Sequence, residues 1–579
     1  MPSSMSSMNL PSRREFLTYG AAATLAASTL PGSLLARAQQ SPQAKKRRLL
    51  FNWDGSVIHC WGKTVLKQQG DPNWDQPLTR EQFTRLVFTP VENTPIDTLC
   101  FSFGSGNIAE YQSNVLEWPG EADRFVFPES RTWHGGVEVD PKDQYTNPKA
   151  LADAGHNPPA VIVEECRQRG IEAFVSLRMN DCHDGQHPPG TLPNPEYPTF
   201  KRQNPDWLVD DLDWWSALNF AHPRVRALKL RVIEEFFDRW DFDGIELDWL
   251  RHTLYFPRGT ETDNGQHLTT FMRTVRHSLN ERAKRRGRPI TLAVRVPERV
   301  AWCNLGGFEI GKWIEEDLAD VYILGQGLVD HPHLDEFRRL MTRGDRPIYG
   351  SLYAYGNGYR LSPPEVIRGN AANLWRDGVD GLYTFNWIFH GDWRRDLLRE
   401  ISSPDSLAAK SKHYSVLKRL YIAPGDRGGD YIRYNGMFRD APVPFRITEA
   451  LGTKEVLLPV AEDLADLRPK KVELWVGTEY LRDGDELEIS LNGRQLSPPA
   501  VNATHTESVG YPVEIPSGNG LVGFPPMESI DTEFPALRFE VDPSIVRLGR
   551  NSVTFLLKKR AAEIEHELQV TRVELATVF

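Results

Sequence analysis

Glu246 and Asp248 stand two residues apart in the segment Asp243-Gly-Ile-Glu-Leu-Asp-Trp-Leu-Arg-His252. Side chains two apart in a β-strand share a face. Both acids therefore project the same way, while Ile245 and Leu247 cover the other side. Isolated ionised carboxylates are costly to bury. Two together, followed by Arg251 and His252, need ion partners, a polar ligand or acid/base chemistry. The plainer reading is a salt-bridged strand end. Carboxyl pairs cleave glycosidic bonds with retention at about 5–5.5 Å separation and with inversion at about 6.5–9.5 Å. Two acids on one strand sit roughly 6.5–7 Å apart at Cα and splay along it. They do not flank one bond alone, so a second carboxyl acting with them is expected from another strand.

The elements that would position these groups are legible as a repeat. From about residue 47 to 420, short apolar runs alternate with amphipathic helical patterns. Strands are predicted over 48–54, 96–103, 171–180, 244–249, 290–296, 319–326, 347–355 and 381–387. Helices are predicted over 80–88, 160–169, 223–240, 266–286, 308–317, 333–343, 363–377 and 404–421. Such strand–helix units predict an α/β fold, a (β/α)8 TIM barrel. The runner-up, an open doubly wound sheet, usually carries a Gly-rich phosphate loop after an early strand, and none is visible. The stretches 104–159 and 181–220 follow the second and third strands, on the face where barrel sites are built. They exceed ordinary connections, which points to function. From about residue 425 the helical period vanishes. Strands over 471–476, 486–491, 537–541, 552–558 and 568–575, with turns such as Asn492-Gly493 between them, predict a C-terminal antiparallel β-sandwich. Such a domain binds glycan or buttresses the barrel.

Phasing each strand by its apolar face gives an inward polar set. It comprises Asn52 and Asp54, Ser102, Arg178 and Asn180, Glu246 and Asp248, Arg295, Gln326, Tyr353 and Tyr355, and Asn386 or Trp387. Barrel interiors are normally filled by branched apolar side chains, so polar groups on every strand indicate a polar ligand. Glu246 lies one layer deeper than Asp248. Arg178 and Arg295 are expected to flank it and hold it ionised, an organiser, which leaves Asp248 freer to act on substrate. The loop 180–187 carries Asp181, Cys182, His183, Asp184 and His187, a mixed donor set that can bind zinc. Asp-rich loops are more often turn formers, and substrate hydrogen bonding by Asn180, Asp181 and His183 is the favoured reading. No metal and no cofactor is expected. Trp61, Trp207, Trp214, Trp215 and Trp302 fall in rim loops, where they stack on sugar rings or anchor the loops.

At 579 residues the chain exceeds one ordinary domain, and 40 % apolar with 25 % charged residues describes a soluble globular protein. A formal charge of −10 gives no basic footprint for nucleic acid. Five cysteines without close spacing suggest isolated thiols rather than a disulfide framework. Ser12-Arg-Arg-Glu-Phe-Leu17, a short apolar run from Gly20 to Leu35 and Ala36-Arg-Ala38 describe a twin-arginine export signal. The run is too short for a lasting membrane span. The expected organisation is a signal over 1–38, a linker over 39–46, the barrel over 47–424 and the sandwich over 425–579. That describes an exported protein, periplasmic or extracellular, with no membrane span after signal removal and no obligate protein partner.

The block DGIELDWLRH, with Tyr255-Phe-Pro257 after it, resembles the fourth-strand motif of bacterial glycosyl-hydrolase-like barrels. It is also similar to the α-amylase family's fourth-strand motif, D-G-F-R-x-D-x-x-K/R-H. The resemblance covers about ten to fifteen residues. It implies a carbohydrate substrate, with Asp248 in the nucleophile position, Arg251 and His252 at substrate-contact positions and Glu298 near the general acid's place. Glu246 departs from it, standing where the amylases keep an arginine. The leading expectation is a glycoside hydrolase acting on a poly- or oligosaccharide by two-carboxylate chemistry. A non-catalytic glycan-binding barrel, and a polysaccharide lyase or metal-dependent hydrolase centred on His183, are the alternatives.

Overall fold

The computed structural model describes residues 49–53, 55, 58, 60–118, 131–133, 137–139, 143–185, 197–209, 215–325, 333–353, 362–385, 387, 392–418, 441–497, 501–509, 530–561 and 566–579. The expected export signal and linker lie outside the described residues, as do Asp54, Gln326, Tyr355 and Asn386. Of His183 and Tyr353 only the backbone is described.

Leu49–Trp53 is buried along its whole length, as a parallel strand covered on both faces must be. It is β1 of a closed barrel. The others are β2 (Thr98–Ser102), β3 (Glu172–Arg178), β4 (Gly244–Asp248), β5 (Thr291–Val296), β6 (Val321–Leu324), β7 (Ile348–Tyr353) and β8 (Gly381–Phe385). Neighbours follow chain order, and β8 returns to β1 with Leu382 level with Leu49. Closure rules out the open sheet. The helices outside include α1 (Arg80–Phe88), α2 (Pro158–Arg169), α3 (Pro223–Arg239), α4 (Glu261–Arg286), α5 (Ile310–Glu315), α6 (Leu334–Leu340), α7 (Pro364–Asp377) and α8 (Asp392–Ile401).

Period-2 alternation sorts the strand residues into two apolar sets. Phe51, Phe101, Val175, Ile245, Leu247, Leu292 and Val294 belong to the main core under the helices. Leu50, Cys100, Phe174, Ala293, Ile323, Tyr349, Tyr383 and Phe385 form a separate cluster, the packed lumen. Next in phase toward the strand C-termini stand Asn52, Ser102 and Ser176, all buried. Beyond β4, Trp249 lies among Phe308, Trp313 and Tyr255 at centroid distances of 5.8, 5.7 and 5.2 Å. This aromatic cluster braces the end of the strand that carries the acids.

One helix is not where the pattern put it. The helix after β8 is α8, whose Leu397, Leu398 and Ile401 are buried at helical spacing. Among the described residues of 404–421 only Pro404–Leu407 is helical, and Lys412–Ser415 is a strand, β9. Tertiary context overrides local pattern there: β9 completes a sheet by pairing with the chain's last strand. It lies so close under α7 that a Cβ at Gly369 would stand 2.2 Å from the His413 carbonyl oxygen.

The strands that follow β9 are β10 (Phe445–Ile447), β11 (Lys454–Val460), β12 (Lys471–Glu479), β13 (Glu486–Leu491), β14 (Arg494–Gln495), β15 (Val501–Val509), β16 (Ile530–Glu540), β17 (Gly549–Lys559) and β18 (Leu568–Val578). One sheet runs β9-β18-β12-β16-β15, with β10 also on β18, and the other runs β11-β17-β13-β14. Every pairing is antiparallel. Alternating Val472, Leu474 and Val476 of β12 share a core with Leu458, Ile489, Val553 and Phe555 of the second sheet. The two sheets make the β-sandwich that the alternating pattern predicted, with β9, β10, β11, β14 and β15 added to it.

Candidate active site

The motif on β4 divides its labour by height. Asp243, at the bottom, accepts from the Ala173 amide at 3.0 Å and from Arg288 at 2.7 Å, tying β3 to β4. Gly244 is required sterically, because a Cβ there would come within 2.6 Å of the Phe174 ring and of the Thr291 carbonyl oxygen. Glu246 and Asp248 then follow on the lumen side, fully buried or nearly so, at 0 % and 1 % exposure.

Strand register decides which acid receives the arginines. Asp248 is level with Arg178 on β3 and with Arg295 on β5, whereas Glu246 is level with Ser176 and Ala293. Arg295 donates to Asp248 Oδ2 at 2.9 Å with both side chains buried. The other oxygen, Oδ1, accepts from the Leu250 amide at 2.9 Å. Arg178 pairs with Asp181 at 2.9 Å. The expectation that the two arginines clasp Glu246 is therefore corrected. The phase was right, but the flanking strands bring their arginines level with the upper acid.

Glu246 has only neutral donors within bonding distance among the described residues. Tyr383 donates its hydroxyl to Oε1 at 3.1 Å, and Asn52 Nδ2 lies 3.4 Å from Oε2 and 3.0 Å from Ser176 Oγ. Burial, then the neighbouring charge of Asp248, push the Glu246 carboxyl up to about 7, against the opposing pull of Arg295 and of the hydrogen bonds from Ser176 and Tyr383. Arg295 is itself held in place: its Nε donates to the Gly325 carbonyl at 3.3 Å and its guanidinium lies 3.6 Å from the centre of the Phe385 ring.

The rim residues divide between lumen and scaffold. Asn180 spends its amide on the backbone, Oδ1 accepting from Leu218 N at 2.8 Å and Nδ2 donating to the Leu218 and Leu254 carbonyls. His252 Nδ1 accepts from the Cys182 amide at 3.2 Å, so the ring fastens the loop after β3 to the end of β4. Asp184 pairs with the fully buried Lys201 at 2.6 Å and accepts from Ser216 at 2.6 Å. Two acids of the suspected zinc loop, Asp181 and Asp184, thus each face a cation. Among the described residues no group of three His, Cys, Asp or Glu is arranged to hold a metal. Arg251 reaches toward Phe385, 5.8 Å from its ring centre. Trp387 is buried in the main core. Glu298 is buried, near the Cys303 thiol, which burial and then the Glu298 charge push well up. No described contact joins Glu298 to Glu246 or Asp248. Of the rim tryptophans, Trp207 packs between Phe200 and His222, and Trp215 meets Tyr197. The side chain of Trp61, and Trp214, lie outside the described residues.

Phasing of the outer rim overlooked Tyr383, Ser176 and Phe385. Each was signalled by parity alone: Tyr383 and Phe385 share the phase of Trp387, and a tyrosine is long enough to deliver its hydroxyl one layer above its own Cα.

No family model matches the chain, and no curated protein does. Solved structures similar to it include the glycoside hydrolase domain of PgaB (BpsB) from Bordetella bronchiseptica, at 11 % identity and TM-score 0.37, covering 62 % of this chain and 99 % of that one. Another is alpha-L-fucosidase isoenzyme 2 from Paenibacillus thiaminolyticus, at 11 % identity and TM-score 0.37, covering 63 % of this chain and 49 % of that one. A third is a chitinase from Chromobacterium violaceum, at 9 % identity and TM-score 0.33, covering 61 % and 98 %. Likeness at this level adds no argument about function, which rests on the lumen itself.

Proposed function

We propose that this chain is a glycoside hydrolase acting on a poly- or oligosaccharide at the C-terminal mouth of its barrel. One observation carries the reading. Within one lumen, a carboxylate is locked onto an arginine, while a carboxyl one layer below meets only neutral donors among the described residues and is pushed up by burial. Neighbouring acids in divergent environments are the mark of acid/base sites. Asp248 is the group that faces the oxocarbenium-like transition state, and the Arg295 contact fixes its orientation. Glu246, on the same face of the same strand, is not opposite it across a bond. Its neutral form keeps a second negative charge out of the lumen at acid to neutral pH. The proton for the leaving oxygen comes from another strand, with Glu298 and Asp54 the candidates. A lumen of this kind with no second carboxylate in reach would bind glycan without cleaving it.

Residues 1–38 are proposed to direct export by the twin-arginine route, and the sandwich to buttress the barrel through the close contact at Gly369. Among the described residues no helix is long and apolar enough to cross a membrane.

The test is reducing-end release from a panel of oligosaccharides by the wild-type chain and by Asp248→Asn. The substitution keeps size and removes charge, and kcat should fall by about 10³-fold, on the order of 4 kcal/mol of transition-state stabilisation, with binding retained. Unchanged turnover on a verified substrate would falsify the assignment of Asp248. Binding by the wild type with no release from any glycan would favour the binding barrel.

A further inference from the structure

We infer that the lumen beside Glu246 is a subsite for an uncharged sugar unit, one hydroxyl of which bonds the unpaired end of the Asn52 amide; the inference rests on the carbohydrate reading above. Asn52 is 2 % exposed and directs Nδ2 at Ser176 and Glu246, while its Oδ1 is buried with no hydrogen-bond partner. Buried polar atoms are nearly always bonded, so an amide end inside a lumen that the protein leaves unbonded is a group a polar ligand can satisfy. Rotating the amide by 180° exchanges its oxygen and nitrogen, and one end stays unpaired either way. It is an acceptor in one orientation and a donor in the other. A hydroxyl group answers both, since it donates and accepts. Ser351 Oγ on β7 is also fully buried with no partner. It is level with Tyr383, which bonds Glu246. Two unsatisfied groups therefore stand on either side of β8, on β1 and β7.

Charge selects among sugars. Arg295 is committed to Asp248 and lies over Phe385, and Arg178 is paired with Asp181. A uronate would bring a third carboxyl into a space that already holds Asp248 and Glu246. In a buried site that repulsion is poorly screened. A neutral sugar meets no such cost.

The experiment is equilibrium binding to the full chain of labelled gluco-, manno-, galacto- and xylo-oligosaccharides, with oligogalacturonates as the charged counterpart. At least one neutral series should bind, with the uronates tenfold or more weaker. Monodeoxy analogues of the binding series then locate the hydroxyl. Removing it should weaken wild-type binding about tenfold, the value of one hydrogen bond. The same removal should cost nothing further in Asn52→Leu, as coupled groups behave in a double-mutant cycle. Should Asn52→Leu fail to fold, Asn52→Ser replaces it, and the wild-type deoxy series stands in either case. Binding of no saccharide, uronates binding as well as neutral glycans, or no deoxy loss coupled to Asn52 would each overturn the inference. Cleavage confined to uronates would overturn it and leave the hydrolase reading intact. Neutral binding without cleavage would do the reverse.

Discussion

Glu246 in the barrel lumen and Glu574 in the sandwich are both completely buried glutamates, yet their proton affinities move in opposite directions. At Glu574 burial raises the carboxyl, but Arg572 at 2.8 Å and His413 at 3.4 Å outweigh it and hold it below the usual carboxylate range. At Glu246 burial and the Asp248 charge win, because the cation of that layer is bonded to Asp248. Identical burial thus marks two different things. A buried acid bonded to its cation reads as architecture. A buried acid with its cation assigned elsewhere reads as a site, since nothing in the packing requires a carboxyl there.

The contrast breaks most visibly in the sandwich. Glu574→Gln removes the anion opposite Arg572 and His413, and should destabilise the chain by about 3–5 kcal/mol at neutral pH. The folded carboxyl is depressed, so its contribution is present above the unfolded value of about 4.3 and is lost as pH falls through the depressed range. Urea unfolding at pH ~7 and pH ~4 should therefore give a wild-type advantage that narrows on acidification. Equal stability at neutral pH would remove the architectural half of the comparison.

The next effect has the opposite sign. Glu246 is raised, so the folded chain holds its proton where the unfolded chain has lost it. Stability from this group is complete below about pH 4.3 and falls by about 3 kcal/mol as pH rises to about 7. Glu246→Gln, uncharged throughout, should lack that falling limb and be at least as stable as wild type at pH ~8. Had the arginines clasped Glu246, the same substitution would cost stability at every pH above the carboxylate range. Unfolding free energies across pH ~4.5–8 separate the two. A Gln variant several kcal/mol less stable at pH ~8 would restore the ion-paired organiser.

How far these features were legible beforehand follows their range along the chain. Period-2 patterns are local, so each barrel strand lies within its expected span, and the inward phase of Asn52, Arg178, Glu246, Asp248 and Arg295 agrees with the lumen. Register is not local. The spacing of Glu246 and Asp248 cannot say that Arg295 stands level with the second of them. The helix expected over 404–421 failed for a related reason: β9 is defined by its pairing with β18, 165 residues further on in the sequence at Lys412 and Thr577. Asn180 was marked as a substrate contact by its polarity and place on the rim, and His252 by the resemblance of its motif, yet the described partners of both lie in the backbone of the same rim. Polarity at a rim identifies groups that need partners and leaves open whether protein or ligand supplies them.

The smallest expected effect tests how finely Glu246 is tuned. Tyr383 donates its hydroxyl to Glu246 Oε1 at 3.1 Å, and this bond favours the charged form, holding the carboxyl below where burial alone would put it. Tyr383→Phe keeps the ring beside Arg295 and removes one donor. Net stability should fall by about 1 kcal/mol, the usual worth of one hydrogen bond. The falling limb of stability should also extend to higher pH, because the carboxyl rises further when its donor is lost. The two consequences come apart in a double variant: in the Glu246→Gln background there is no carboxyl to titrate, so Tyr383→Phe should lower stability by a pH-independent amount. An upward extension of the limb that persisted in that background would assign the titration to another group, and Glu246 would lose its place as the proton-holding acid of the lumen.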